Sequence, residues 1–175
     1  MKLRKEIEPQ IHVAEFRYPK VLQCIMDYDA YLSTNDDEDR SEYTKLTERL
    51  QQLTGKDIST YNLWEWWEEE GAEVLAFRIS LPAPKQVNDF SKIELTEVIR
   101  RMGSYRQPEA GWEEQTFEEN FRIYLVDYYH ELLKLNFKTY NYQKIFGPQR
   151  SRDHKPGWLT DEEKVAALWN DGNFK

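Results

Sequence analysis

Val74-Leu75-Ala76-Phe77-Arg78-Ile79-Ser80-Leu81, followed by Pro82 and Pro84, is the stretch on which the fold class turns. Leu75, Phe77, Ile79 and Leu81 fall on every second residue, the spacing that places side chains on one face of a strand. The prolines stop it, because they cannot donate to a continuing ladder. A partner lies in Phe137 to Phe146, where Tyr140 and Tyr142 alternate with Thr139, Asn141 and Gln143. Such aromatic and β-branched types suit a pleated surface. The spacing therefore predicts a small antiparallel sheet built from 74–81 and 137–146.

Helical periods surround these two stretches. Residues 6–18 fit strand or helix equally, and Pro19 sits where a first helical residue tolerates proline. Val21, Leu22, Ile25, Met26, Tyr31 and Leu32 then follow a helical period, and Ser33 to Asp39 is a polar loop. Tyr43, Leu46, Leu50 and Leu53 recur at intervals of three and four before Gly55, which suits a left-handed helix end. The first third reads as a helical hairpin. Asn62 with Glu65 opens a short helix through Trp64, Trp66 and Trp67 to Glu70, stopped by Gly71.

Ser91 with Glu94 has capping-box spacing and precedes the stripe Leu95, Val98, Ile99 and Met102. From Trp112 to Leu135 the apolar positions, among them Phe117, Phe121, Tyr128 and Leu132, cover an arc too wide for one contact. Such an arc predicts a long central helix packed on more than one side. Residues 147–158 form a basic Pro/Gly loop, and Thr160 with Glu163 caps a final helix carrying Val165, Leu168 and Trp169. The expected fold is α+β and helix-dominated, a helical hairpin and a long central helix with a small antiparallel sheet. At 175 residues it is expected as a single globular domain over 1–175.

Composition narrows the function classes. Six Trp, eleven Tyr and eight Phe argue against disorder, since disordered chains are poor in aromatics. The net charge of −8, from 24 basic against 32 acidic side chains, argues against a nucleic-acid partner, which needs clustered Lys and Arg. The imbalance is uneven: residues 1–136 carry 17 basic and 27 acidic side chains, residues 137–175 carry 7 and 5. Cys24 is the one cysteine, so no intrachain disulfide forms, and its apolar surroundings predict an inert buried thiol. Apolar runs fall far short of the ~20 residues that cross a bilayer, and Met1 to Glu6 does not resemble a signal peptide. A cytoplasmic protein with no membrane partner is expected.

Motifs for chemistry are sparse. Counting from Asp37, Asp39, Ser41 and Glu48 match the third, fifth and twelfth positions of a calcium loop, but Glu42 stands where glycine is needed and Lys45 is a cation. His130-Glu131 lacks the second histidine of a zinc protease, position 134 being Lys134. Phosphate loops, nucleophile elbows and dinucleotide fingerprints are missing. No cofactor, metal or catalytic residue is expected. The basic loop residues Arg150, Arg152, His154 and Lys155 read as a solvated turn or an anion contact.

The most distinctive stretch is Leu63-Trp64-Glu65-Trp66-Trp67-Glu68-Glu69-Glu70. On a helix Trp64 and Trp67 share a side with Leu63, while Trp66 points away among carboxylates. An exposed Trp66 ringed by Glu65, Glu68, Glu69 and Glu70 would suit a cationic partner through stacking and charge pairing. The leading expectation is a non-enzymatic acidic binding protein that docks and inhibits a basic protein, for example an antitoxin or immunity-type inhibitor of a nuclease. The alternative is a small-ligand or enzymatic domain, its pocket lined by Tyr124, Tyr128, Tyr140 and Tyr142 with Glu118, Asp127 or His130 as polar groups.

Overall fold

Residues 74–81 form no strand. In a computed structural model of the chain, which describes residues 2–64, 71–105, 115–150 and 156–175, they lie in a helix, Ala72–Ser80. The apparent alternation is the reason for the misreading. Of the four residues between the apolar ones, Val74, Ala76 and Ser80 are apolar or small and buried, and Arg78 is half-buried. A segment buried on most of its surface carries little period that separates strand from helix. The partner stretch is not a strand either: it turns after Phe137 and enters a short helix, Tyr142–Ile145, capped by Asn141. The expected antiparallel sheet is absent. Strand pairing among the described residues is limited to a two-residue ladder, Gln149 opposite Gly157 and Arg150 opposite Pro156.

Among the described residues the α-helices are, in chain order, α1 (Ile11–Leu32), α2 (Ser41–Thr54), α3 (Ala72–Ser80), α4 (Lys92–Ser104), α5 (Phe117–Phe121), α6 (Leu125–Asn136), α7 (Tyr142–Ile145) and α8 (Asp161–Trp169). The chain divides into two compact units, Pro9–Ala83 with Gln115–Tyr124, and Met1–Glu8 with Pro84–Glu114 and Leu125–Lys175. They are called here the hairpin unit and the terminal unit.

The hairpin unit packs α1 against α2 and α3. Its core is Val21, Cys24, Ile25, Tyr28, Leu46, Leu50, Leu75 and Ile79 with Ile58 and Leu63, all buried. The expected hairpin is present, but α1 starts at Ile11 and carries Pro19 inside it. Proline removes one hydrogen bond and crowds the carbonyl four residues back, at Glu15. Both residues lie on the exposed side. Gly55, with φ of 72°, ends α2 in the left-handed geometry that side chains resist. On α5, Phe117 and Phe121 gather Tyr18 and Phe77 into one aromatic cluster.

The terminal unit packs α4 against α6 and α8. Ser91 and Thr160 cap α4 and α8 through complete capping boxes with Glu94 and Glu163. Buried Leu95, Val98, Leu132, Leu133 and Leu168 fill the core, and Phe137 meets the rings of Phe90 at 5.1 Å and Phe174 at 4.8 Å. Glu97, only 6% exposed, is held by Arg100 and Arg101 at 2.8 and 3.0 Å, and Arg101 reaches on to Glu8 and the Tyr129 hydroxyl. The long helix expected from Trp112 to Leu135, of which 112–114 lie outside the described residues, is broken by a 3-10 turn at Arg122–Tyr124. Its wide apolar arc has a simple cause: Phe117 and Phe121 serve one core, Leu125 to Leu133 another.

Candidate functional site

The fold divides the charge sharply. Residues 9–83 and 115–124, the hairpin unit, carry 17 Asp and Glu against 8 Lys and Arg, a balance of −9. The terminal unit has 15 acidic and 16 basic side chains, a balance of +1. All of the chain's excess negative charge therefore belongs to one unit.

Within that unit the turn between α1 and α2 concentrates acid. Asp37 faces inward, accepting the Glu42 and Tyr43 backbone N–H groups at 3.0 and 2.8 Å and the Tyr28 hydroxyl at 3.2 Å. These bonds supply the partners that the first turn of α2 lacks, because its N-cap, Arg40, offers no side-chain bond. Burial acts to raise the Asp37 carboxyl, but the donated N–H groups outweigh it and hold the group below the usual carboxylate range. Asp36, Glu38 and Asp39 are exposed. Asp39 accepts the Ser41 N–H, whereas Asp36 and Glu38 have no cationic partner among the described residues. The calcium-loop geometry is not formed, since Ser41 and Glu48 are already helical and Asp37 caps the helix. Among the described residues no three His, Cys, Asp or Glu side chains gather as a metal site would need.

Several cations of the unit are engaged within it. Lys45 binds Glu42 at 2.6 Å, and Lys56 donates to the carbonyls of Arg78 and Leu81 at 2.7 and 3.0 Å. The Arg40 guanidinium lies 6.0 Å over each of the Tyr43 and Trp64 rings. That contact puts Trp64 beside the acidic turn, 36% exposed, while Leu63 is buried. Trp66, Glu65, Glu68, Glu69 and Glu70 lie outside the described residues, as do Arg152, His154 and Lys155. Between α1 and α2 lies an open cavity of about 250 Å³. Buried Cys24, Tyr28 and Leu46 line it together with Asp27, Glu42, Lys45 and Arg49. Burial is the main influence on the Cys24 thiol and raises it, as expected for an unreactive sulfur.

The aromatic and acid–base groups of the alternative reading are divided. Tyr124 and Glu118 belong to the hairpin unit, and Tyr128, Tyr140, Tyr142, Asp127 and His130 to the terminal unit. Tyr128 is a core residue whose hydroxyl faces the Ile7 carbonyl at 3.5 Å. His130 sits in an aromatic setting, its Nδ1 3.2 Å from the Tyr140 hydroxyl and its ring edge-on to Phe146 and Tyr142 at 4.6 and 5.2 Å. Gly147 makes that setting possible, because a Cβ there would fall 2.5 Å from the Gln143 carbonyl oxygen. Burial lowers the His130 pKa, with Asp127 opposing, so the imidazole stays neutral further into acid than a free one.

The inward turn of Asp37 had no local sequence signal, since four acids in a row look alike. Trp64 carried none either: its helical spacing with Leu63 and Trp67 reads as the packed side, yet it is 36% exposed. No helix among the described residues is long and apolar enough to cross a membrane. No protein family, curated protein or solved structure matches the chain.

Proposed function

We propose that the chain is a non-enzymatic, cytoplasmic binding protein whose acidic hairpin unit docks and inhibits a basic protein. Its most concrete form is an antitoxin or immunity-type inhibitor of a nuclease. The observation that carries this reading is the confinement of all excess negative charge to one unit. A nuclease needs a cationic surface to hold phosphates, and an acidic surface of comparable size competes for it. Long-range attraction would speed the encounter, while a desolvated aromatic contact would slow dissociation. Exposed Asp36 and Glu38 suit the first role because the fold does not use them. Trp64 suits the second, and Trp66, Glu65, Glu68, Glu69 and Glu70 are the further partner-binding residues this reading expects.

Charge reversal tests it. Asp36→Lys with Glu38→Lys should leave folding intact, because both side chains are exposed and neither has an ion-pair partner among the described residues. Association with the basic partner should slow by about tenfold at low salt and lose most of its salt dependence. An unchanged association rate would remove the acidic turn from the interface.

A further inference from the structure

The terminal unit holds a cavity of about 310 Å³ whose wall is cationic. Three lysines from two separate stretches line it, Lys134, Lys138 and Lys175, together with Gln86 and Asn88. No carboxylate side chain contributes to the lining. None of the three ammonium groups has an ion-pair partner among the described residues. Asp89, the nearby acid that feels Lys175, is bound to Arg4 at 2.9 Å. Like charges that share one lining repel one another, an arrangement that a bound anion relieves.

The bland explanation is that lysines near the C-terminal end of α6 satisfy its last carbonyls. One of those carbonyls, Leu133 O, has another partner, and its neighbours Leu132 O and Phe137 O are engaged as well. Leu132 O accepts the Asn136 side-chain amide at 2.8 Å, Leu133 O accepts the Phe137 N–H at 2.8 Å, and Phe137 O accepts the Tyr140 N–H at 2.9 Å. Asn136 also fixes the opposite wall, its Oδ1 accepting the Val87 N–H at 2.6 Å and its Nδ2 donating to Lys85 O at 3.2 Å. The wall is thus held by a buried clamp, and of the three lysine heads that of Lys175 lies 5.7 Å from the Phe174 ring centroid. Leu135, 46% exposed on the same lining, offers a small apolar contact beside them.

We propose that this cavity binds a small polyanion carrying two or more negative charges on oxygen, either phosphate-bearing or polycarboxylate. Its volume sits at the low end of ligand pockets, which run from about 300 Å³, and so suits a small molecule rather than a polymer. Ammonium groups bind such oxygens as point charges without demanding planar geometry.

The test titrates inorganic pyrophosphate, and separately citrate, into the full chain at low salt, followed by calorimetry and by amide chemical shifts. Saturable binding is expected, with shifts concentrated at Gln86, Val87, Asn88 and Lys138. Lys134→Gln with Lys138→Gln should weaken it by about tenfold or more, because each lost charged hydrogen bond is a large share of a small ligand's affinity. Both lysines are exposed, so the melting curve should not move. Pyrophosphate binding alone assigns the site to phosphates, and binding of both assigns it to polyanions at large. The proposal is overturned if neither ligand saturates, if shifts scatter over the protein's other lysines, or if the double variant binds as well as the parent. Should that variant not fold, the shift map of the parent decides by itself.

Discussion

Phe77 stacks on Phe121 with ring centroids 4.5 Å apart and planes 4° from parallel. Both rings are buried, and Phe117 and Tyr18 close round them. The pair joins α3, the helix that alternation disguised as a strand, to the short α5. Phe77→Ala should therefore cost about 3–5 kcal/mol, as truncation of a buried aromatic does. Phe16→Ala, at a site 79% exposed, should stay within about 0.5 kcal/mol. Urea denaturation of the two variants measures both, and equal midpoints would refute this packing.

Glu97 governs the acid side of stability in the terminal unit. The Arg100 hydrogen bond does most to lower its pKa, burial opposes, and Arg101 adds to the lowering, leaving it at about 2 against an ordinary 4.5. The folded state thus binds its proton less readily than the unfolded chain. The stabilisation is fully present above the ordinary value and fades as pH falls from 4.5 toward 2. Glu97→Gln should flatten that part of a stability-versus-pH curve measured in urea. A curve of unchanged slope would show that Glu97 is not held this way.

His130 should titrate low. Burial among Tyr140, Tyr142 and Phe146 lowers its folded pKa below 6.5, so folding favours the neutral ring. Its contribution to stability is present above the unfolded value and declines as pH drops through the folded one. Ring-proton NMR should place the inflection of His130 under 6.5. An inflection above that value would mean that Asp127, not burial, dominates.

Trp66 discriminates surface from core in the Trp/Glu segment. On the docking proposal, Trp66→Ala leaves stability within about 0.5 kcal/mol and weakens partner binding by about 2 kcal/mol or more. A loss of about 3–5 kcal/mol in stability instead would make it a core residue.

Local signals carried the fold where a side chain settles its own neighbourhood. The Ser91–Glu94 and Thr160–Glu163 boxes and the glycine end at Gly55 are present as read, because each needs only residues a few positions apart. The same signal stood unused at Thr116 and Glu119, whose capping box starts α5 inside what reads as a continuous helix. Residues 74–81 hide their helix for the opposite reason: burial of all of them but Arg78, a tertiary fact, blurs the period. Acidity was legible as a sum, and its confinement to one unit was not, since 115–124 joins 9–83 only in three dimensions. The lysine cavity likewise gathers residues 86–88, 134–138 and 175, which no spacing connects.

The docking role of the acidic unit is tested most directly by quantitative affinity purification from the native host at low salt. The bait is the full chain, compared with its Asp36→Lys, Glu38→Lys form. The expected result is a protein of basic pI, recovered in near-equal amount with the parent, released by added salt and lost with the reversed variant. Recovery of the same proteins by both baits, or of no basic protein by the parent, would contradict it.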